Sequence, residues 1–240
     1  MRFTFLTLFP NLISGYFEDS ILKRAITNKI IAIEIVNIRD FSLNRYKKVD
    51  DFQVGGGAGL VLCVDVLSRA LESIITEDSH VIYLTPVAKH FTQNDARRLA
   101  ISHLHIVFIC GRYEGIDERI IEEFVDEVFC IGDFIMTGGE IPALCLCDSI
   151  ARNLDFVLGN TKSLCGESFE NGILESPVFA RQTNEAKKIS SLRLPSEYSK
   201  GNHSKIEALK YELSLCKTKY FRPDIYQRYY PKRKQCKIDT

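Results

Sequence analysis

Three glycine-bearing segments carry residue types that can bind a ligand or hold a proton, and each follows a run of apolar residues. They read "YLTPVAK", "CGRYEGID" and "IGDFIMTGGEIPA". In the second segment, Gly111 and Gly115 flank an arginine, a tyrosine and a carboxylate. Glycine at a strand end lets the backbone approach a ligand or take a positive φ, although a single such glycine more often serves only the turn. We expect the three segments together to form one pocket.

The elements around these segments predict an α/β fold. Apolar strands are predicted at 2–8, 30–39, 80–84, 105–110 and 127–131, and helices at 17–29, 63–77, 92–102, 116–125 and 140–157, with a long polar loop over 40–59. Thr92 is the expected N-cap of the third helix. Strands that are apolar throughout and alternate with helices indicate a parallel sheet covered on both faces. Ligands of such sheets bind at the carboxyl ends of the strands, where the three segments fall.

Composition divides the chain into three parts. The α/β domain is predicted to span 1–157, a flexible linker 158–180, and a small basic helical domain 181–240. Residues 1–180 hold 16 Lys/Arg and 25 Asp/Glu, whereas 181–240 hold 15 and 6. A basic C-terminal part favours an anionic partner, nucleic acid first among them, and the alternative is a set of solvated helices.

Several classes of protein are disfavoured. "GGGAGLV" lacks the Lys-Ser/Thr of a phosphate-binding loop, and the first strand is not followed by G-x-G-x-x-G. The eight cysteines form no C-x-x-C pair, and no histidine lies at zinc spacing from Cys145 and Cys147, so we predict no metal site. Cys63, Cys110 and Cys130 lie in apolar runs and are predicted to be reduced, buried thiols. Pro10 interrupts the apolar N-terminus, and no stretch approaches the ~18 apolar residues of a membrane span, so we expect a soluble cytoplasmic protein with no membrane partner.

Ordered motifs over residues 8–206 resemble one family. They are "LFP", "RDF", "VDD" with "GGGAG", "VIYLTP", "CGRYEGIDER", "IGDFIMTGGEIPA", "DSIAR", "VLG", "ESF" and "GNH". The chain is similar to the bacterial tRNA (guanine-N1)-methyltransferases, the TrmD family of the SPOUT superfamily. The resemblance implies a parallel sheet with a deep trefoil knot and S-adenosylmethionine bound in the knot. It also implies methylation of N1 of guanine 37 in the tRNA anticodon stem-loop, by a homodimer whose active sites lie at the subunit interface.

The same resemblance assigns site residues. For the cofactor it implies Tyr83, Leu84, Thr85, Pro86, Gly111, Tyr113, Glu114, Gly115, Ile131, Gly132, Asp133, Phe134, Ile135, Met136, Gly138, Gly139 and Pro142. For the substrate it implies Asp50, Gly59 and His203. Glu114 has a structural alternative, an acid favoured by the dipole of the following helix, and His203 has one as part of a helix cap.

Two catalytic residues follow from the family and from the reaction. Guanine N1 carries a proton, so the reaction needs a base there and a positive group near O6. The resemblance places the arginine at Arg152, whose alternative is a helix-surface salt bridge with Asp148. It places the base at Glu167, where the family has an aspartate; alternatively Glu167 is one solvated acid among several. A misplacement of ~1 Å can cost about a hundredfold in rate, so the longer side chain bears on turnover.

Other functions stay open at this stage. One is an RNA-binding protein of the same fold with weak or no catalysis, and another is a nucleotide-binding enzyme with an ordinary doubly wound sheet. The basic residues predicted to contact phosphates are Arg181, Lys187, Lys188, Lys205, Lys217, Lys219 and Arg222. The tRNA set, a requirement for guanine 36 and any dependence on Mg²⁺ are not determined by the sequence.

Overall fold

The computed structural model describes residues 1–160, 164–180 and 195–236. The chain divides into two compact units, Met1–Thr161 and Lys162–Thr240. The strands of the first unit are β1 (Arg2–Thr7), β2 (Ala32–Asn37), β3 (Asp50–Phe52), β4 (Leu60–Leu62), β5 (Ser79–Leu84), β6 (His105–Ile109) and β7 (Glu127–Phe129). Its helices are α1 (Pro10–Ser14), α2 (Ser20–Thr27), α3 (Val64–Ile74), α4 (Gln93–Ser102), α5 (Glu118–Phe124) and α6 (Glu140–Ala151), with 3₁₀ turns at Gly15–Phe17 and Ile38–Phe41.

Five strands form a parallel sheet in the order β2-β1-β6-β5-β7, which confirms the predicted α/β class. Side chains alternate between the two faces of a strand, and both faces of this sheet are covered. Phe3, Phe5 and Phe108 pack in the core on one face, whereas Leu6 and Val107 belong to the core on the other. Burial on both sides explains why β6 is apolar along its whole length.

The predicted helices exist, and several of their bounds differ. The expected cap at Thr92 is confirmed, because its side chain accepts from Asp95 N and Asp95 returns the bond in a capping box. The prediction that α6 extends to residue 157 is wrong, since the helix ends at Ala151 and Phe156 takes a left-handed φ of 67°. The polar loop predicted over 40–59 contains strand β3, which pairs antiparallel with β4.

In the second unit, the described helices follow residue 195, whereas residues 164–180 form turns and irregular backbone. A 3₁₀ turn, Ser196–Ser199, precedes α7 (His203–Phe221) and α8 (Pro223–Cys236). Leu174 N–H donates to the hydroxyl of Thr218 at 2.9 Å, which ties the segment before 181 to α7. The expected phosphate contacts Arg181, Lys187 and Lys188 lie outside the described residues. Within the described ranges, no helix is both long and apolar enough to cross a membrane.

Candidate active site

Three loops leave the same edge of the sheet side by side. We call residues 85–91, 110–117 and 130–139 the strand-end loops, because they follow the neighbouring parallel strands β5, β6 and β7. Backbone hydrogen bonds join them in pairs. Phe91 N–H donates to Cys130 O at 2.9 Å, and Gly139 N–H donates to Gly111 O at 2.9 Å. The pocket-forming arrangement expected from the three segments therefore has a backbone framework.

The closest approach between two strand-end loops requires glycine. A Cβ added at Gly139 would lie 2.9 Å from both Cys110 Cα and Gly111 N, which are backbone atoms that cannot rotate away. Gly139 is also the N-cap of α6, and its carbonyl accepts from Ala143 N at 2.9 Å. Any side chain at this position would separate the start of α6 from the loop after β6.

Tyr83 supports the second loop from beneath. A Cβ added at Gly111 would lie 3.0 Å from the Tyr83 ring, and one added at Gly115 would lie 3.3 Å from its hydroxyl. The ring is buried in the core, which raises the pKa of the hydroxyl although a backbone N–H of Ile116 opposes the shift. The side chain of Tyr83, a predicted cofactor residue, therefore packs beneath the second strand-end loop and is not exposed at the surface. Leu84 is likewise buried, and Pro86 is exposed.

The predicted substrate residue Gly59 contacts the predicted cofactor residue Glu114. Gly59 has a φ of +88°, and a Cβ there would lie 2.5 Å from Cγ of Glu114. Glu114 N–H donates to Leu60 O at 3.0 Å, and Leu62 N–H donates to Gly115 O at 3.1 Å. The β3–β4 hairpin is therefore attached to the second strand-end loop. The Glu114 side chain is exposed on this loop, as a ligand-facing carboxylate would have to be.

Tyr113 connects this loop to two further motifs. Its φ of 60° is left-handed, and its hydroxyl interacts with the carboxylate of Asp50 and the guanidinium of Arg39. Partial burial, followed by Asp50, raises the pKa of the Tyr113 hydroxyl. Arg39 belongs to the "RDF" motif but was not among the predicted site residues, and only its presence in that motif signalled it. The contact brings the predicted substrate residue Asp50 next to the second strand-end loop.

A buried ion pair, also absent from the predicted site, locks the loops together. Arg112 binds Glu140 through two contacts, Nη2 to Oε2 at 2.9 Å and Nε to Oε1 at 3.1 Å. The side chain of Glu140 is 1% exposed and that of Arg112 is 15% exposed. Thr7, at the end of β1, donates its hydroxyl to Glu140 at 2.8 Å, while Arg112 donates to Thr137 O at 3.0 Å. In the sequence, the signal for this pair was Glu140, an acidic residue in the first turn of a mostly apolar helix.

The third strand-end loop presents both apolar and polar side chains. Phe134, Ile135 and Met136 are exposed, whereas Pro142 is buried in the first turn of α6, where a missing N–H costs nothing. The carboxylate of Asp133 lies at hydrogen-bond distance, 2.9 Å, from His90 Nε2. Exposed apolar residues on a loop beside interlocked glycine turns are suited to covering a flat, mostly apolar ligand.

The predicted catalytic residues lie away from these loops along the chain. Arg152 is the C-cap of α6, so it stands at the opposite end of the helix from Gly139, roughly 20 Å away at 1.5 Å per residue. Asp148, its proposed salt-bridge partner, accepts a hydrogen bond from the Tyr16 hydroxyl at 3.0 Å. Glu167 and His203 belong to the second unit. His203 is the first residue of α7, next to the N-cap Asn202.

Sequence comparison matches most of the chain to one family of proteins. A family model described as "tRNA (Guanine-1)-methyltransferase TrmD" matches residues 1–228. A protein of Helicobacter hepaticus named tRNA (guanine-N(1)-)-methyltransferase is 57% identical over 229 residues, covering 95% of this chain and 94% of the relative. Proteins of the same name from Wolinella succinogenes and Campylobacter fetus are 57% and 56% identical, covering 95% and 98% of this chain and 96% and 98% of their own.

Proposed function

Because the chain belongs to the TrmD family of tRNA (guanine-1)-methyltransferases, we propose that it methylates N1 of guanine 37 in tRNA with S-adenosylmethionine as donor. The observation that supports this most directly is the joining of the three strand-end loops by the Phe91–Cys130 and Gly139–Gly111 backbone hydrogen bonds, with the β3–β4 hairpin attached at Glu114. The second strand-end loop thus connects the proposed cofactor pocket with the proposed substrate surface. The alternative function is a catalytically weak RNA-binding protein of the same fold.

The residues of the strand-end loops fit S-adenosylmethionine. Glycines at 111, 132, 138 and 139 let neighbouring protein atoms pack directly against the loop backbone. Exposed Phe134, Ile135 and Met136 can cover an adenine ring. The Glu114 carboxylate offers a partner for the amino group of the methionine part. When bound, the cofactor supplies a methyl group activated on a sulfonium, so a metal electrophile is not required for the transfer.

For methyl transfer, residues of the chain must remove one proton from the guanine and stabilise the negative charge that develops on it. We assign removal of the N1 proton to Glu167 and stabilisation of the charge that grows on guanine O6 to Arg152. Both side chains are partly buried, as a residue at a closed site should be. Glutamate has the same carboxyl chemistry as the aspartate of the family, and its extra methylene displaces that group by about 1.5 Å, the length of one carbon–carbon bond.

A homodimer would complete the site. Arg152 is roughly 20 Å from Gly139 in one protomer, so an arginine that acts at the strand-end loops fits better as the contribution of a second copy. Phe9, Leu12, Tyr16 and Ile141 are exposed on α1, the following 3₁₀ turn and α6, which pack against one another. We propose that these residues form the dimer interface and that the third strand-end loop takes part in a deep trefoil knot.

The second unit is proposed to bind the tRNA backbone. Among the described residues, α7 and the turn after it carry Lys205, Lys217, Lys219 and Arg222. Four such contacts to single-stranded phosphates would make the logarithm of the binding constant fall with a slope of roughly −3 against the logarithm of salt concentration. A binding constant independent of salt would remove this role from α7.

The test is transfer of labelled methyl from S-adenosylmethionine to a tRNA transcript with guanines at 36 and 37, beside one with adenine at 37. We expect transfer to the first transcript alone, and loss of at least about a hundredfold in rate for Glu167→Gln. Glu175→Gln, another acid of the same segment, is the matched control and should keep the wild-type rate. Cofactor binding without transfer to either transcript would instead favour the RNA-binding alternative.

A further inference from the structure

We propose that His90, Cys130 and Asp133 form a binding site for a Zn²⁺ ion that joins the first and third strand-end loops. The ligand atoms of these three residues all lie within 4.8 Å of one another. His90 and Asp133 are exposed at the surface, while Cys130 is buried beneath them, so an ion has access from solvent. The group includes no residue placed in the catalytic role above.

The backbone holds two of the ligands in place before any ion binds. His90 and Cys130 are paired in a parallel β-bridge. Cys130 N–H donates to Lys89 O and Phe91 N–H donates to Cys130 O, both at 2.9 Å. Asp133 follows in a turn closed by Phe134 N–H on Gly132 O at 2.9 Å, and its carboxylate lies 2.9 Å from His90 Nε2. Pre-positioned ligands reduce the ordering that binding would otherwise require.

The donor set is characteristic of zinc. Thiolate, imidazole and carboxylate are the three protein ligands that Zn²⁺ takes, and water can fill the fourth tetrahedral position. Mg²⁺ and Ca²⁺ are disfavoured because they prefer oxygen ligands only. The thiol and the carboxylate together supply two negative charges, which balance the ion.

Binding requires two proton movements. The Cys130 thiol must release its proton to solvent when the metal–sulfur bond forms. The imidazole must bind through Nε2, so its proton moves to Nδ1 and the hydrogen bond to Asp133 is replaced by two bonds to the metal.

The ion would act as a further link between two loops that backbone hydrogen bonds already join. Since the ligands come together only in the folded chain, bound metal stabilises the folded state. The third strand-end loop is the proposed cofactor loop, so its motion would be restrained too. That last consequence rests on the proposed function, whereas the metal site itself does not.

The test is a titration of the metal-free full-length protein with Co²⁺ as a spectroscopic probe, followed by displacement with Zn²⁺. We expect a near-ultraviolet charge-transfer band from thiolate to Co²⁺, saturating at one ion per chain, and a higher unfolding temperature with Zn²⁺. Cys130→Ser should abolish the band. His90→Gln and Asp133→Asn should each weaken binding by more than the ten- to hundredfold that loss of an outer partner costs.

Cys145→Ser is the matched control, because Cys145 is an exposed thiol on α6 outside the group; it should leave the titration unchanged. A missing band, or one that survives in Cys130→Ser, overturns the proposal. If Cys130→Ser fails to fold, His90→Gln decides alone, since its side chain is exposed: affinity equal to wild type rejects the site. None of these readouts uses methyl transfer, so the site and the proposed function can fail separately.

Discussion

Removing the positive charge from the Arg112–Glu140 pair should destabilise the protein strongly. In Arg112→Met, the Glu140 carboxylate stays 1% exposed and keeps only the Thr7 hydroxyl among the contacts described above. Breaking a buried ion pair on one side costs about 3–5 kcal/mol, because an uncompensated charge is left inside. For a chain of this size each 1 kcal/mol lowers the unfolding temperature by about 2–4 °C, so we expect a drop of about 6–20 °C.

The control is an ion pair of similar geometry at the surface. Arg119 binds Asp117 through two contacts at 2.8 and 2.9 Å, but its side chain is 69% exposed. Exposed pairs contribute about 0–1 kcal/mol, so Arg119→Met should lower the unfolding temperature by no more than about 4 °C. The double variant Arg112→Met/Glu140→Gln should recover stability, since the amide oxygen can still accept from Thr7 and no charge remains buried.

Thermal unfolding followed by circular dichroism measures all three variants, and S-adenosylmethionine affinity measures the effect on the loops. Arg112 donates to Thr137 O in the third strand-end loop, so weaker cofactor binding should accompany the loss of stability. The reasoning is refuted if Arg112→Met shifts the unfolding temperature no more than Arg119→Met. It is also refuted if the double variant is less stable than Arg112→Met, because removing the second charge must then add a cost of its own.

Three further predictions test the remaining contacts. Gly139→Ala should cost about 1–3 kcal/mol and weaken cofactor binding, because its Cβ would lie 2.9 Å from backbone atoms, while Gly15→Ala, with open space around the Cβ, should be neutral in both measurements. Tyr113→Phe should lower kcat/KM for tRNA about 2–12-fold by losing the hydroxyl between Asp50 and Arg39, and an unchanged value would make that contact incidental. Burial and the charge of Arg2 lower the pKa of His105 in the folded chain. The contribution of neutral His105 to stability is therefore complete above pH 6.5 and is lost as the pH falls from there towards the lowered value. His105→Gln should reduce the slope of unfolding temperature against pH below 6.5, and an unchanged slope would contradict this.

The sequence was sufficient for features that depend on neighbouring residues. Strand and helix periods, the Thr92 cap and the alternation that indicates a parallel sheet all lie within a few residues of one another, so the local pattern predicts them. The same reasoning missed both β3 and β4, because two three-residue segments become strands only by pairing with each other. It also extended α6 to residue 157, because the apolar pattern continues past Arg152 although Phe156 turns into left-handed backbone.

What the sequence by itself determined was the α/β class, the order of elements and, through its motifs, the family. The tertiary structure alone decided which strand ends meet, because the order β2-β1-β6-β5-β7 cannot be derived from periodicity. That order pairs Arg112 with Glu140, places Thr7 beneath them, and brings His90 next to Cys130 across forty positions of chain. Contacts between residues far apart in sequence depend on which strands are neighbours, and no local pattern carries that information.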